Sequence, residues 1–256
     1  MGNLVISTPV LSDAATLFPS AETAAGPASN LQTMQPTDLW EVGGGAPYIE
    51  VDLGAISTFN LIALLFTNAT GADQWRVRAA NTQGALVSAP VYDSNYEVVS
   101  YIGSEGHVFM FESAGITNRW VRIDLITASN PFYAARLYVA NGVQQSINFD
   151  FGGEDGYDDD SVIDITDGGR LIPNSGTNRS VFTFTLNTKT ETERNALREI
   201  NKARGAQLDV LVLRDPAASV NKADVVYYGL LQRRRAAITT AFNFARNKIS
   251  YQLTAL

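Results

Sequence analysis

A chain of 256 residues, 45% of them hydrophobic, can bury one large core or two modest ones, and two fits domains of roughly 100 to 150 residues better. Only 18% of the residues are charged, and a net charge of −7 opposes broad nucleic-acid binding, which needs clustered Lys and Arg against phosphates. The absence of cysteine excludes disulfides, thiolate catalysis and thiolate metal sites together.

The first ten residues, Met1 to Val10, have neither the basic start nor the long apolar run of a secretory signal. The longest apolar stretch, Leu61 to Phe66, is far shorter than the roughly 20 residues of a membrane helix. The expectation is a soluble protein, made in a cytoplasm and without a membrane span. Strand-like segments then recur at Tyr48 to Leu53, Leu61 to Thr67, Gln74 to Asn81, His107 to Glu112, Trp120 to Ile126 and Ala135 to Ala140. Turn formers such as Gly43 to Gly45, Asn68 to Gly71 and Ser129 to Pro131 separate them, which predicts a β-sandwich or jelly roll over residues 1–145.

At Gly152 to Asp160 the composition turns acidic and glycine-rich, and the segment GGEDGYDDD reads as an exposed loop or hinge just after the boundary. Beyond it, strands are expected at Ser180 to Asn187, Leu208 to Leu213 and Val225 to Gln232, with Ala237 to Phe244 and Lys248 to Ala255 closing the chain. A single helix over about 190–204 starts at a capping box, Thr190 with Glu193, and Gly205 stops it. Leu197, Ile200 and Ala203 or Arg204 give it a narrow apolar stripe to set on a sheet face. Residues 146–256 therefore read as a β-sandwich with one flanking helix, and the whole chain as mostly β.

Catalysis finds little material. His107, the one histidine, begins an apolar strand, and no nucleophile elbow or phosphate loop occurs. The carboxylates Glu154, Asp155, Asp158, Asp159 and Asp160 could hold calcium on a flexible loop, but they lack the register of an EF-hand, and a solvated loop is the plainer reading. A glycan-degrading enzyme would need that loop ordered around Asp158. Trp75 and Trp120 alternate with arginine on strands and read as core, whereas Trp40, beside a glycine turn, is the better surface contact. Arg233, Arg234 and Arg235 read as an interface segment pairing with acidic loops of a neighbouring copy rather than as a nucleic-acid contact.

The segments Ala28 to Thr70, Gln74 to Thr82 and Arg119 to Gly142, with YIEVDLG at Tyr48 to Gly54 as their centre, resemble the discoidin, or coagulation factor type C, jelly roll. The family's disulfide partners and any recognisable sugar-binding triad are missing here. The second half resembles distal-tail and tail-tube related domains of long-tailed bacteriophages, through the strand FTFTLNT (Phe182 to Thr188), the helix Thr190 to Gly205, the strand LVLRDP (Leu211 to Pro216) and the closing Tyr227 to Leu256. That resemblance implies a homo-oligomeric ring in the virion tail, assembled in the bacterial host cytoplasm and contacting the tail tube, tail hub or fibres. The joint expectation is a structural tail-tip protein that presents the jelly roll to tail proteins or a host-surface glycan, with no enzymatic activity and no required cofactor. The alternative is a free carbohydrate-binding module of the discoidin-like class, gripping a polysaccharide with loops around Trp40 and Asp73.

Overall fold

The computed structural model describes residues 2–99, 106–150, 153–159, 161–165, 171–174, 176, 178–204, 208–218, 222–233, 238–239 and 247–256. The chain is mostly β and divides into two compact units, Met1–Gln144 with Val212–Val226, and Gln145–Leu211 with Tyr227–Leu256.

In the first unit the strands are β1 (Val5–Val10), β2 (Thr16–Pro19), β3 (Trp40–Val42), β4 (Tyr48–Thr67), β5 (Gln74–Ala80), β6 (Tyr92–Asp93), β7 (Glu97–Val98), β8 (Gly106–Ile126), β9 (Phe132–Ala134) and β10 (Arg136–Gln144), with a one-turn helix α1 (Ala85–Ser88). The segments expected separately at 48–53 and 61–67 are one strand, and so are those at 107–112 and 120–126. β4 and β8 pair antiparallel from Tyr48↔Asp124 to Thr67↔Gly106, with register shifts at Asp52/Ser57, Phe59/Leu61 and Leu64/Thr67. Gly54, at φ +76°, supplies the left-handed backbone at the first shift, and Gly115, at φ +75°, supplies it at the second. Each long strand thus serves two layers. β2, β5, β6 and β7 extend the layer holding the start of β4, while β10 and then β1 extend the layer holding its end.

Alternation fills the space between the layers. Ile49, Val51, Val77, Val121 and Ile123 meet Phe59, Ile62, Leu64, Leu137 and Val139 in one core, while Tyr48, Glu50, Arg78 and Arg122 stand on the other face of the first layer. Trp75 lies in this core as expected; Trp120 is buried on the opposite face, against Ala80, Leu86 and the ring of Phe18 5.6 Å away. In β15 (Asp209–Leu213), Leu213 and Val212 pair with Val5 and Ile6 of β1.

The second unit contains β11 (Glu154–Asp159), the hairpin β12 (Val162–Ile165) and β13 (Leu171–Asn174), then β14 (Asn178–Asn187), the helix α2 (Glu191–Arg204), β16 (Val226–Arg233), β17 (Ile238–Thr239) and β18 (Asn247–Ala255). Hydrogen bonding runs β11, β14, β18, β16, with β17 also on β18. Phe182, Phe184 and Leu186 alternate inward from β14; the Phe182 ring stacks on Tyr227 at 4.4 Å and Phe184 on Tyr251 at 5.6 Å. The segment expected as an acidic loop is instead the strand β11. Pairing of Glu154 to Asp159 with Thr183 to Asn178 overrides a composition that alone signals a turn.

The capping box forms as the sequence predicts. The Glu193 amide donates to Thr190 Oγ1 (3.2 Å) and the Glu193 carboxylate accepts from the Thr190 amide (3.1 Å). Leu197 and Ile200 are buried, Ala203 is exposed, and Asn201 donates to the Tyr251 hydroxyl at 2.8 Å, which seats α2 on β18. Gly205 lies outside the described residues. Burial opposes the charge on Glu193, but hydrogen bonds from Ser146 and from the amides of Lys189 and Thr190 outweigh it, holding the carboxyl at about 2, against 4.5 ordinarily. A lowered folded-state value stabilises fully above the ordinary carboxylate range and loses that contribution as pH falls toward 2. Thr190→Ala should cost about 1 kcal/mol in urea unfolding at neutral pH. Glu193→Gln should flatten the part of the decline in stability that the unsubstituted protein shows between about pH 4.5 and 2, measured by the same titration at each pH.

Candidate binding site

Folding β4 across both layers brings its start and its end to the same end of the first unit. There the loops at 43–47, 68–73 and 127–131 meet. Asp73, 1% exposed, ties two of them: Oδ2 accepts from the Thr70 amide (2.6 Å) and hydroxyl (3.2 Å), and Oδ1 accepts from the Ala128 amide (2.9 Å). Asn68 adds three bonds, accepting from the Tyr133 amide through Oδ1 (3.0 Å), donating from Nδ2 to the Pro131 carbonyl (2.8 Å) and receiving Ser129 Oγ on its own carbonyl (3.1 Å). The glycine turn joins through Gly45, which exchanges both backbone hydrogen bonds with Thr127 at 3.1 and 2.9 Å, and through Gly44, whose amide donates to Asn130 Oδ1 (3.3 Å). A Cβ on Gly44 would stand 2.4 Å from the Ser129 carbonyl oxygen, so only glycine permits this approach.

Trp40 sits beneath these loops. Its ring is 0% exposed, packs edge-on to Phe132 at 6.1 Å and donates Nε1 to the Ala21 carbonyl at 3.3 Å. The surface contact expected of it is therefore replaced by a core role, because Trp40 and Val42 of β3 face inward together with Phe132 and Ala134 of β9. Asp73 is likewise a clamp with its oxygens already occupied. The outward positions of the same two strands are Glu41 and Tyr133, directly paired. Tyr133 is 37% exposed, and the Glu41 carboxylate has no partner among the described residues. The Glu41 backbone is also bonded on its other side, to Thr23 and Gly26 at 2.9 Å each, so the pair stands on a backbone held from both edges. Sequence inspection passed over both residues, whose strands are three residues long; the signal was the inward, outward, inward alternation in Trp40–Val42 and Phe132–Ala134.

The other candidates lie elsewhere. His107 is buried, with Nδ1 accepting from the Phe66 amide (3.2 Å) and its ring set edge-on to Phe66. On β11, Glu154 and Asp158 alternate with Asp155 and Asp159. Asp155 accepts from the Tyr227 hydroxyl (2.5 Å), and Asp159, hydrogen-bonded to Ser161, has its pKa lowered by that bond. Among the described residues no three His, Cys, Asp or Glu side chains are grouped to hold a metal ion. Asp160, Arg234 and Arg235 lie outside the described residues, and of Arg233 only the backbone, paired with Tyr251, is described.

No family model and no curated protein matches the chain. Among solved structures it is similar to the lectin domain of lectinolysin complexed with Lewis B antigen, at 16% identity over 53% of this chain and 99% of that one, TM-score 0.43. It is also similar to chitosan-binding module 1 of a chitosanase/glucanase from Paenibacillus sp. IK-5 (20% identity, 52% of this chain, 98% of that one, TM-score 0.40). A third is a Streptococcus pneumoniae fucose binding module (14% identity, 52% of this chain, 96% of that one, TM-score 0.42).

Asp73→Ala removes the acceptor of two amides and a hydroxyl, and should cost about 3 kcal/mol, seen as a lower urea midpoint. Gly44→Ala should separate the glycine turn from 127–131 and raise amide exchange at Gly45 and Thr127 without unfolding the core.

Proposed function

We propose that the first unit is a carbohydrate-binding module of the discoidin-like kind and that its ligand lies across Tyr133 and Glu41. The observation that carries this reading is the pairing of an exposed aromatic ring with a carboxylate that has no partner among the described residues, on a backbone fixed by Asp73, Asn68 and Gly44. A sugar offers an apolar C–H face and a rim of hydroxyl donors, and this pair matches both: the ring covers the face and the carboxylate accepts from the hydroxyls. A rigid platform loses little entropy on binding, so a small contact suffices. The jelly-roll resemblance of Ala28 to Thr70 and the converging loops support the same reading. Glycoside hydrolysis requires two opposed carboxyl groups, and this pair supplies one half-buried carboxylate, which suits binding. Ring assembly in a phage tail rests on the resemblance of the second half alone, and no observation in the second unit favours it.

The full chain should retain glycans on an array and bind the best of them in calorimetry. Tyr133→Ala should weaken that binding about tenfold or more, equivalent to about 1.4 kcal/mol, with an unchanged unfolding midpoint. Retention of no glycan, or equal binding by the variant, would sink the proposal. Trp40→Ala is no substitute for this test, because it opens the core.

A further inference from the structure

The charge around Tyr133 and Glu41 narrows the ligand. Residues 20–48, 66–73 and 127–135, which build the loop end, contain no Lys or Arg, but they contain Glu22, Asp38, Glu41 and Asp73. Glu22 and Asp73 carry hydrogen bonds from backbone amides, Ala28 to Glu22 at 2.7 Å among them, whereas Glu41, at an outward position of its strand, has a carboxylate without a partner among the described residues. Tyr133 adds a second, independent preference of the same sign, because the face of an aromatic ring carries negative charge density and attracts cations. Resting on the carbohydrate reading above, we infer that this site selects a cationic amino sugar, a glycan whose free amine is protonated, over its N-acetylated counterpart and over acidic sugars. The ammonium group meets the Glu41 carboxylate and the Tyr133 ring together; an acetamido group has no charge to offer, and a uronate or sulfate meets uncompensated negative charge within a screening length of about 8 Å.

The test uses the full chain and three oligosaccharides of one length: β-1,4-glucosamine, β-1,4-N-acetylglucosamine and galacturonate, titrated by calorimetry near pH 6. The glucosamine oligomer should bind at least about tenfold more tightly than the N-acetylated one, and galacturonate should not bind. That preference should shrink as salt rises from about 50 to about 500 mM and as pH rises through the amine's own titration. Glu41→Gln should bring the ratio of the two affinities toward one, whereas Tyr133→Ala should weaken both. If the N-acetylated or acidic oligomer binds as well as glucosamine, the charge inference fails while the carbohydrate reading stands. If none of the three binds, both inferences fail for these sugars. Tight glucosamine binding that survives both substitutions would mark general adsorption of a polycation to an acidic protein, and would also overturn the assignment.

Discussion

The antiparallel pairing of β4 with β8 is the constraint on which the rest of the first unit depends. It runs from Tyr48↔Asp124 to Thr67↔Gly106 and changes register three times on the way. A continuous flat ladder of this length would expose one apolar face. By shifting register beside Gly54 and Gly115, the two strands carry their hydrogen bonds from one layer into the other, so that Ile49 and Val51 face Phe59, Ile62 and Leu64 across a common core. The same fold-over returns the end of β4 to its beginning, which is why loops far apart in the chain converge. The loop face is thus a consequence of how the core closes.

Convergence alone would leave three loops loosely associated. Their backbone amides are the groups most costly to bury unpaired, and Asp73 and Asn68 satisfy them with side-chain oxygens already fixed by neighbouring strands. Gly44 allows the glycine turn to approach the Ser129 carbonyl more closely than any side chain would permit. These contacts place β9 beside β3, and so place Tyr133 beside Glu41. Rigidity at the base and exposure at the tip come from different residues, which lets the outward side chains vary without loosening the platform.

That division explains what was legible in the sequence. Alternation inside a single strand is local, and it located β5, β10, β14 and β18; the capping box of Thr190 and Glu193 is local too, and it located α2. The loops around Trp40 and Asp73 were singled out in the sequence, but the outward members of the neighbouring strands were not. Burial of Trp40 depends on Phe132, which reaches it only through tertiary pairing of β3 with β9. An aromatic residue beside a glycine turn reads as exposed until that partner is known. The acidic run of β11 misled for the same reason: its strand conformation comes from β14, whereas its composition favours a turn.

Charge placement follows from the same architecture. Residues 1–144 contain five arginines and no lysine. Arg78 and Arg122 meet Asp124 at 2.8 and 2.7 Å, Arg122 also reaches Glu50 at 2.7 Å and lies over the Tyr48 ring at 3.5 Å, and Arg76 approaches Asp124 at 3.4 Å, all on the outer face of the layer that β5 extends. Arg119 pairs with Asp52, whose pKa that bond lowers, and the buried Arg136 pairs with Asp13, both at 2.6 Å. Breaking the buried pairs of Arg78, Arg122 and Arg136 would strand the remaining charge, so these arginines are held where they are. None is free to neutralise Glu41. The negative character of the loop end is therefore built into the ion pairing of the sheet: a ligand that needs a cation at this site must bring its own.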